Sequence, residues 1–261
     1  MSNVQTKPAI IVTGGALNIG ASICQHLIDA GFYVVVLDIV EPQFNDCAPA
    51  WLSCEPSQNH QKDTEYEYYK VDLSDEVATA SCLQSLCTNR VFYGLVNCVG
   101  VVKPKSLEDT PLSDLTLLMN LNFRPAVQCA QAVLPGMKAQ GFGRIINITS
   151  RVVLGKTLRT GYCATKGALA AATRTWALEL ASSGITVNAV APGPIATSAF
   201  WQNNPPESDR AKAIVNAIPV QRMGEPEDVS NAVNFFMQKE SGFITGQTLF
   251  VCGGMTVGLA T

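Results

Sequence analysis

The chain has 261 residues, enough to bury a sizeable core in one large α/β domain, with two small domains as the weaker alternative. Eighteen Lys and Arg against 21 Asp and Glu give a net charge of −3, which supplies no basic field for nucleic acid and no polybasic stretch for anionic lipid. Apolar runs such as Tyr33–Leu37 are far too short to span a bilayer, and the N-terminus enters a strand pattern without a signal-peptide apolar region. Nine cysteines, an odd number with no Cys-x-x-Cys pair, are expected to be free thiols in a reducing cytoplasm. The two histidines, His26 and His60, have no Cys or carboxylate at metal spacing, so neither a metal site nor a His-based triad is expected.

The first strand pattern, 9–13, runs into "TGGALNIG" and then a helical pattern over 19–31. A glycine-rich turn between strand and helix is a phosphate cradle, because the helix start offers unpaired N–H groups and the positive end of its dipole. Gly14 permits the sharp turn and Gly20 a close approach of helix to sheet. Asn18 stands where the dinucleotide fingerprint wants a small residue. Asn tolerates left-handed backbone better than most residues, so the loop is expected still to bind, with Asn18 beside the cofactor phosphates or adjacent ribose. The next strand, 33–38, ends at Asp38, 18 residues past Gly20 and close to where a ribose-binding acid belongs. Its carboxylate would accept from both adenosine hydroxyls and repel a 2′-phosphate, and no Lys or Arg occupies 14–20. NAD is therefore expected over NADP.

Residues 41–65 hold three prolines and many polar residues; they read as a loop with at most a short helix, with Trp51 as a packing anchor. Strand patterns follow at 68–72, 93–97, 144–149, 186–191 and 247–252. Helical patterns lie at 75–89, 112–140, 161–183, 206–217 and 226–238, with Pro135 expected to kink or end a turn of the 112–140 pattern. Continuous apolar strands alternating with helices describe a single doubly wound domain, a parallel sheet of about seven strands covered on both faces.

Residues 143–180 carry the chemistry. Tyr162 and Lys166 are four apart at a helix start and share one face. A cation beside a phenol favours the phenolate, which predicts a lowered Tyr162 pKa and a proton donor usable near neutrality. Ser150 ends the strand twelve residues earlier, where its hydroxyl could polarise a carbonyl.

With these marks in order, the chain resembles the short-chain dehydrogenase/reductase family over nearly its full length. "TGGALNIG" is similar to the family's T-G-x-x-x-G-x-G loop, so Gly14, Asn18, Ile19 and Gly20 are implied cofactor contacts. The resemblance adds Asp72 and Leu73 of "VDLSD" at the adenine, Asn97 and Gly100 of "NCVG", and Asn122 of "MNLNF", which would hold a relay water. Pro192, Gly193, Ile195 and Thr197 of "APGPIAT" would clamp the nicotinamide carboxamide. Asn122, Ser150, Tyr162 and Lys166 complete the implied catalytic tetrad, with Tyr162 and Lys166 also touching the cofactor. The Ser-to-Tyr gap is one residue short of the commonest family spacing, which keeps Thr149 as an alternative to Ser150. Cys98-Val99 replaces the family's Asn-Ala and is expected to alter only packing.

The implied activity is hydride transfer between NAD(H) and a secondary alcohol or ketone. Alternatives are an acyl-carrier thioester reductase and a non-catalytic NAD sensor or scaffold. Residues 194–224 are too long for a simple connection and read as a substrate lid. Phe200 and Trp201 on it, facing Val152 and Leu154, suggest an apolar small-molecule pocket, against which Arg151 and Arg159 argue for a charged group. The small-residue face of 164–172 and the family habit imply a homotetramer, with a dimer possible.

Overall fold

The apolar runs become strands buried on both faces, and their side chains alternate between two cores. Ala9 and Ile11, with Val35 and Leu37, join one core; Ile10 and Val12, with Val34 and Val36, join the other. The computed structural model describes residues 7–42 and 65–258. In chain order the elements are β1 (Ala9–Thr13), α1 (Asn18–Asp29), β2 (Tyr33–Asp38), β3 (Tyr66–Lys70), α2 (Glu76–Asn89), β4 (Gly94–Asn97), α3 (Leu112–Asn122), α4 (Arg124–Gln140), β5 (Gly143–Ile148), α5 (Thr160–Leu180), β6 (Ile185–Pro192), α6 (Ser198–Asn203), α7 (Asp209–Asn216), α8 (Pro226–Met237) and β7 (Thr248–Val251). Nearly all of the expected loop at 41–65, with Trp51, lies outside the described residues.

All strand pairs are parallel, in the order β3-β2-β1-β4-β5-β6-β7. The order reverses between β1 and β4, so a crevice opens above their C-terminal ends, where open α/β sheets bind ligands. The glycine loop leaves β1 there, Asp38 ends β2, Asn97 ends β4, Ser150 follows β5 and Pro192 ends β6.

Two helix expectations are corrected. The pattern over 112–140 is two helices, broken at Phe123 (φ −126, ψ −53). Pro125 has no N–H for the Leu121 carbonyl and its ring would clash with it, so a helix cannot pass through. Pro135, by contrast, sits inside α4, which continues to Gln140 and stops at left-handed Gly141. The lid also contains a helix the periodicity does not reveal, α6, whose N-cap Thr197 accepts from the Phe200 N–H at 3.2 Å.

Candidate active site

The glycine loop is shaped by close contacts. Gly14 has φ +65, and a Cβ there would lie 2.8 Å from Val99 Cα. A Cβ on Gly20 would collide with the Gly14 carbonyl. Gly20 is therefore needed for the fold of the loop on itself, not for the helix-to-sheet approach the sequence suggested. Thr13, which the motif reading passed over, ties this loop to its neighbour: its hydroxyl accepts from Cys98 N–H (3.1 Å) and Val99 N–H (3.3 Å). No side chain caps α1, and its first N–H groups face the crevice mouth free of a capping oxygen.

Asn18 adopts the left-handed backbone expected of it, φ +50. Its Oδ1 is engaged across the crevice, accepting from the Ser198 N–H at 3.1 Å and the Ser198 hydroxyl at 2.9 Å. This asparagine therefore joins the glycine loop to the first turn of α6, a contact between residues 180 apart in sequence. Asn18→Gly keeps the backbone and removes the tie. The expected result is a Kd for NAD within a few-fold of wild type and faster limited proteolysis at 198–204; unchanged proteolysis would mean that the tie does not hold the lid.

Asp38 has two roles in this geometry. Its Oδ2 accepts from Ala16 N–H at 3.0 Å, steadying the glycine loop, and its Oδ1 accepts from Ile39 N–H at 2.7 Å. Glu41 lies close enough to act with Asp38 on Tyr68, so this end of the crevice is acidic. Lys70 is in register with Asp38 on β3 but forms no ion pair with it among the described residues. Asp72 accepts from Ser74 N–H at 2.8 Å, and the Ser74 hydroxyl first, with that N–H second, holds its carboxyl below the usual range. Leu73 is buried beside it.

The four tetrad candidates converge. Lys166 is buried, and its Nζ donates to the Ile148 carbonyl at 2.7 Å; it lies 6.0 Å from the Tyr162 ring centroid. Asn122, the last residue of α3 before the Pro125 break, grips the loop after β4: Oδ1 accepts from Val101 N–H (2.8 Å), while Nδ2 donates to the Val101 carbonyl (3.0 Å) and to Thr165 Oγ1 (3.1 Å). A Cβ on Gly100 would stand 3.2 Å from Lys166 Nζ and 3.4 Å from Asn122 Oδ1, so the glycine keeps the floor of the site clear. The two hydroxyls between which the spacing left a choice, those of Ser150 and Thr149, lie in different places. The Ser150 hydroxyl faces the Tyr162 phenol and acts to lower its pKa, whereas the Thr149 hydroxyl donates to the Val190 carbonyl at 3.1 Å behind it.

The expected direction of the Tyr162 pKa is corrected. Burial pushes it up to about 12, against the smaller downward effects of Ser150 and Arg159. Burial also pulls Lys166 down to about 8. Desolvation of both groups thus outweighs the attraction that the spacing alone suggested. Cys98 is more than packing: burial holds its thiol up at about 11, and it lies close enough to influence both Tyr162 and Lys166.

The remaining expected contacts divide. Asn97 is buried, its Nδ2 donating to Asn147 Oδ1 at 2.8 Å, and Asn147 donates in turn to Thr173 (2.9 Å). This interior cross-link commits its amide, while Asn97 Oδ1 has no protein partner. Ile19 packs on the α1 core. Ile195 packs into the same core against Gly224, so any cofactor contact it makes comes from its backbone. Gly193 N–H donates to the Val251 carbonyl at 2.8 Å, directly after Pro192. Phe200 and Trp201 contact each other edge to face at 5.0 Å, Val152 is buried, and Leu154 is 64% exposed, so the expected apolar wall is open on that side.

The family model described as enoyl-(acyl carrier protein) reductase matches residues 14–256. This chain belongs to the short-chain dehydrogenase/reductase family. It is 35% identical over 254 residues to a 2,3-dihydroxy-2,3-dihydro-p-cumate dehydrogenase of Pseudomonas putida, covering 95% of this chain and 93% of that one. It is 39% identical over 163 residues to (2S)-[(R)-hydroxy(phenyl)methyl]succinyl-CoA dehydrogenase subunit BbsD of Thauera aromatica, spanning 62% of this chain and 64% of that relative. Among solved structures, a Beutenbergia cavernae protein assigned as an NAD(P)-dependent gluconate 5-dehydrogenase, with NADP bound at low occupancy, superposes with a TM-score of 0.86 at 26% identity over 97% of this chain and 98% of that one. The seven-stranded parallel sheet is the Rossmann-like single domain of this family, and the chain is an oxidoreductase acting between alcohol and ketone with a nicotinamide cofactor. No described helix is long and apolar enough to cross a membrane, and the described residues contain no group of three His, Cys, Asp or Glu fit to hold a metal.

Proposed function

We propose that this chain is an NAD-dependent dehydrogenase or reductase of secondary alcohols and ketones with an apolar group beside the reacting carbon. The observation that carries the proposal is the convergence of Ser150, Tyr162, Lys166 and Asn122 on one floor kept clear by Gly100. The same crevice fits a dinucleotide: the Gly14–Gly20 cradle and the uncapped start of α1 suit the pyrophosphate, and Asp38 suits the adenosine ribose. The nicotinamide supplies the hydride acceptor or donor. The chain does the rest. Tyr162 Oη exchanges the proton on the substrate oxygen, Ser150 Oγ hydrogen-bonds and orients that oxygen, and Lys166 holds a positive charge beside them. Asn122 fixes the loop carrying Gly100 and anchors the relay water. A sensor would have no use for such a proton relay, which disfavours the non-catalytic reading.

The preference for NAD rests on Asp38 and Glu41 at the ribose end and on the absence of Lys or Arg from 14–20. The test is kcat/KM with NAD and NADP on a panel of secondary alcohols matched at the reacting group. NAD is expected to win by about tenfold or more, the scale of one charge-assisted contact. Asp38→Ala should narrow the ratio, mostly by loss with NAD, because it also frees Ala16. Equal use of NADP by the wild type would overturn the preference, and no turnover with either cofactor on any alcohol would overturn the activity.

A soluble cytoplasmic homotetramer without nucleic-acid or membrane partners is the assembly we favour, with a dimer as the alternative. Large apolar side chains left exposed on outer elements support it: Leu178 on α5, Phe235 on α8 and Leu249 on β7. Light scattering on the purified protein tests it.

A further inference from the structure

From Gly100, on the floor of the site, the chain runs outward through Val101–Lys105, and α3 holds this segment at both ends. At one end Asn122 grips the N–H and the carbonyl of Val101. At the other end Asp114, in the first turn of the same helix, takes two lysines: Lys103 Nζ donates to Oδ1 at 2.9 Å, and Lys105 Nζ lies 3.6 Å from Oδ2. The helix rises about 12 Å from Asp114 to Asn122, and the extended chain from Val101 to Lys105 spans about 13 Å. The segment therefore lies back along the helix, pinned twice. An acid in the first turn suits the helix dipole wherever it points. Asp114 does more than that, because it is only 8% exposed, each of its oxygens carries a lysine, and the Lys103 hydrogen bond holds its carboxyl below the usual range. Lys105 passes the connection on. Its N–H donates to the Leu158 carbonyl at 3.2 Å, in a parallel bridge to Arg159 just before α5. Leu158 has φ +61, a shape that leucine keeps only where its surroundings fix it. The helix also meets α5 directly, since a Cβ on Gly161, beside Tyr162, would lie 2.6 Å from Leu118 and 3.1 Å from Leu115. Val101 and Val102 on one loop, and Leu154 and Leu158 on the other, leave apolar side chains exposed.

We propose that Asp114 is a positioning residue that locks the 101–105 and 155–159 loops into one wall of the substrate entrance, and that the exposed apolar side chains of this wall select the larger group of the ketone. The proposal rests on the reading of the site as one for apolar secondary alcohols and ketones, and it supplies the wall beside exposed Leu154. Asp114 touches neither substrate nor cofactor in this account. It acts through Lys103 and Lys105, whose chain it holds against the loop that precedes Tyr162.

Asp114→Asn and Lys105→Gln each break the lock, and Lys105→Arg keeps its charge. KM and kcat with NADH are compared for acetophenone, whose ring is large enough to reach the wall, and for acetone, which is not. Both breaking variants should raise KM for acetophenone by about tenfold, the scale of one apolar pocket contact. KM for acetone, kcat for either ketone and the Kd for NADH should stay within about twofold of wild type, and Lys105→Arg should match it. An equal change for the two ketones, or an unchanged KM for acetophenone in both breaking variants, overturns the selection. Amide hydrogen exchange at 101–105 and 155–158 follows the lock without turnover: it should quicken in both breaking variants, and unchanged exchange overturns the lock. A wild type that reduces neither ketone defeats the alcohol reading itself, and the exchange rates then decide the lock alone. If Asp114→Asn fails to fold, Lys105→Gln carries both tests.

Discussion

Tyr162→Phe is expected to lower kcat by about 10²- to 10⁴-fold in both directions while leaving the Kd for NADH within a few-fold of wild type. The phenol is half-buried beside Ser150 and is the group placed to exchange a proton with the substrate oxygen. Phenylalanine keeps the ring, its packing and its distance from Lys166, and removes only the hydroxyl. Steady-state rates together with fluorescence titration of NADH separate the two effects. A variant with near-wild-type kcat would remove Tyr162 from the mechanism.

Lys166 carries the second large effect, and it appears as a pH profile. Burial sets its pKa at about 8, so the ammonium beside the substrate oxygen is lost as pH rises through that value. Tyr162, pushed up to about 12, stays protonated across the same range and remains an acid. The kcat/KM for ketone reduction should therefore be level below pH 8 and fall by up to tenfold per unit above it. Lys166→Met should lose about 10²-fold at pH 7. Unfolding is not the cause of the fall, because stability moves the other way. The folded pKa lies below the unfolded value of 10.5, so between pH 8 and 10.5 the unfolded chain binds more protons at this residue. Its contribution to stability therefore rises with pH over that window, by about 3 kcal/mol in all. A kcat/KM that stays level to pH 10, measured alongside thermal unfolding, would show that the charge on Lys166 is not required.

The parts of the fold that were legible in the sequence are those governed by local rules. The seven strand patterns lie within two residues of the strands, and most of them are apolar runs, because strands covered on both faces need no polar alternation; the edge strand β3, Tyr66–Lys70, is the exception. Asp38, the glycine loop and the Tyr162–Lys166 pair are local patterns too. What escaped depends on contacts between distant segments. The helix break belongs to Pro125 and not Pro135; both are prolines in helical patterns, but Pro125 sits where a new helix can start with proline in its first turn. The partner of Asn18 is Ser198, on a six-residue helix too short to show a periodicity. The Tyr162 pKa went the other way because spacing reports a neighbouring charge but not the depth at which both groups are buried.

The central claim is that this chain moves a hydride between a nicotinamide and a carbinol carbon with Tyr162 exchanging the proton. The most direct test supplies NADH deuterated at nicotinamide C4 and a prochiral ketone, and reads the alcohol by mass spectrometry and NMR. One deuterium at the carbinol carbon, on a single face, is the predicted result for the wild type, with none above background for Tyr162→Phe in the same time. NADH binding without deuterium transfer to any ketone of the panel would contradict the account.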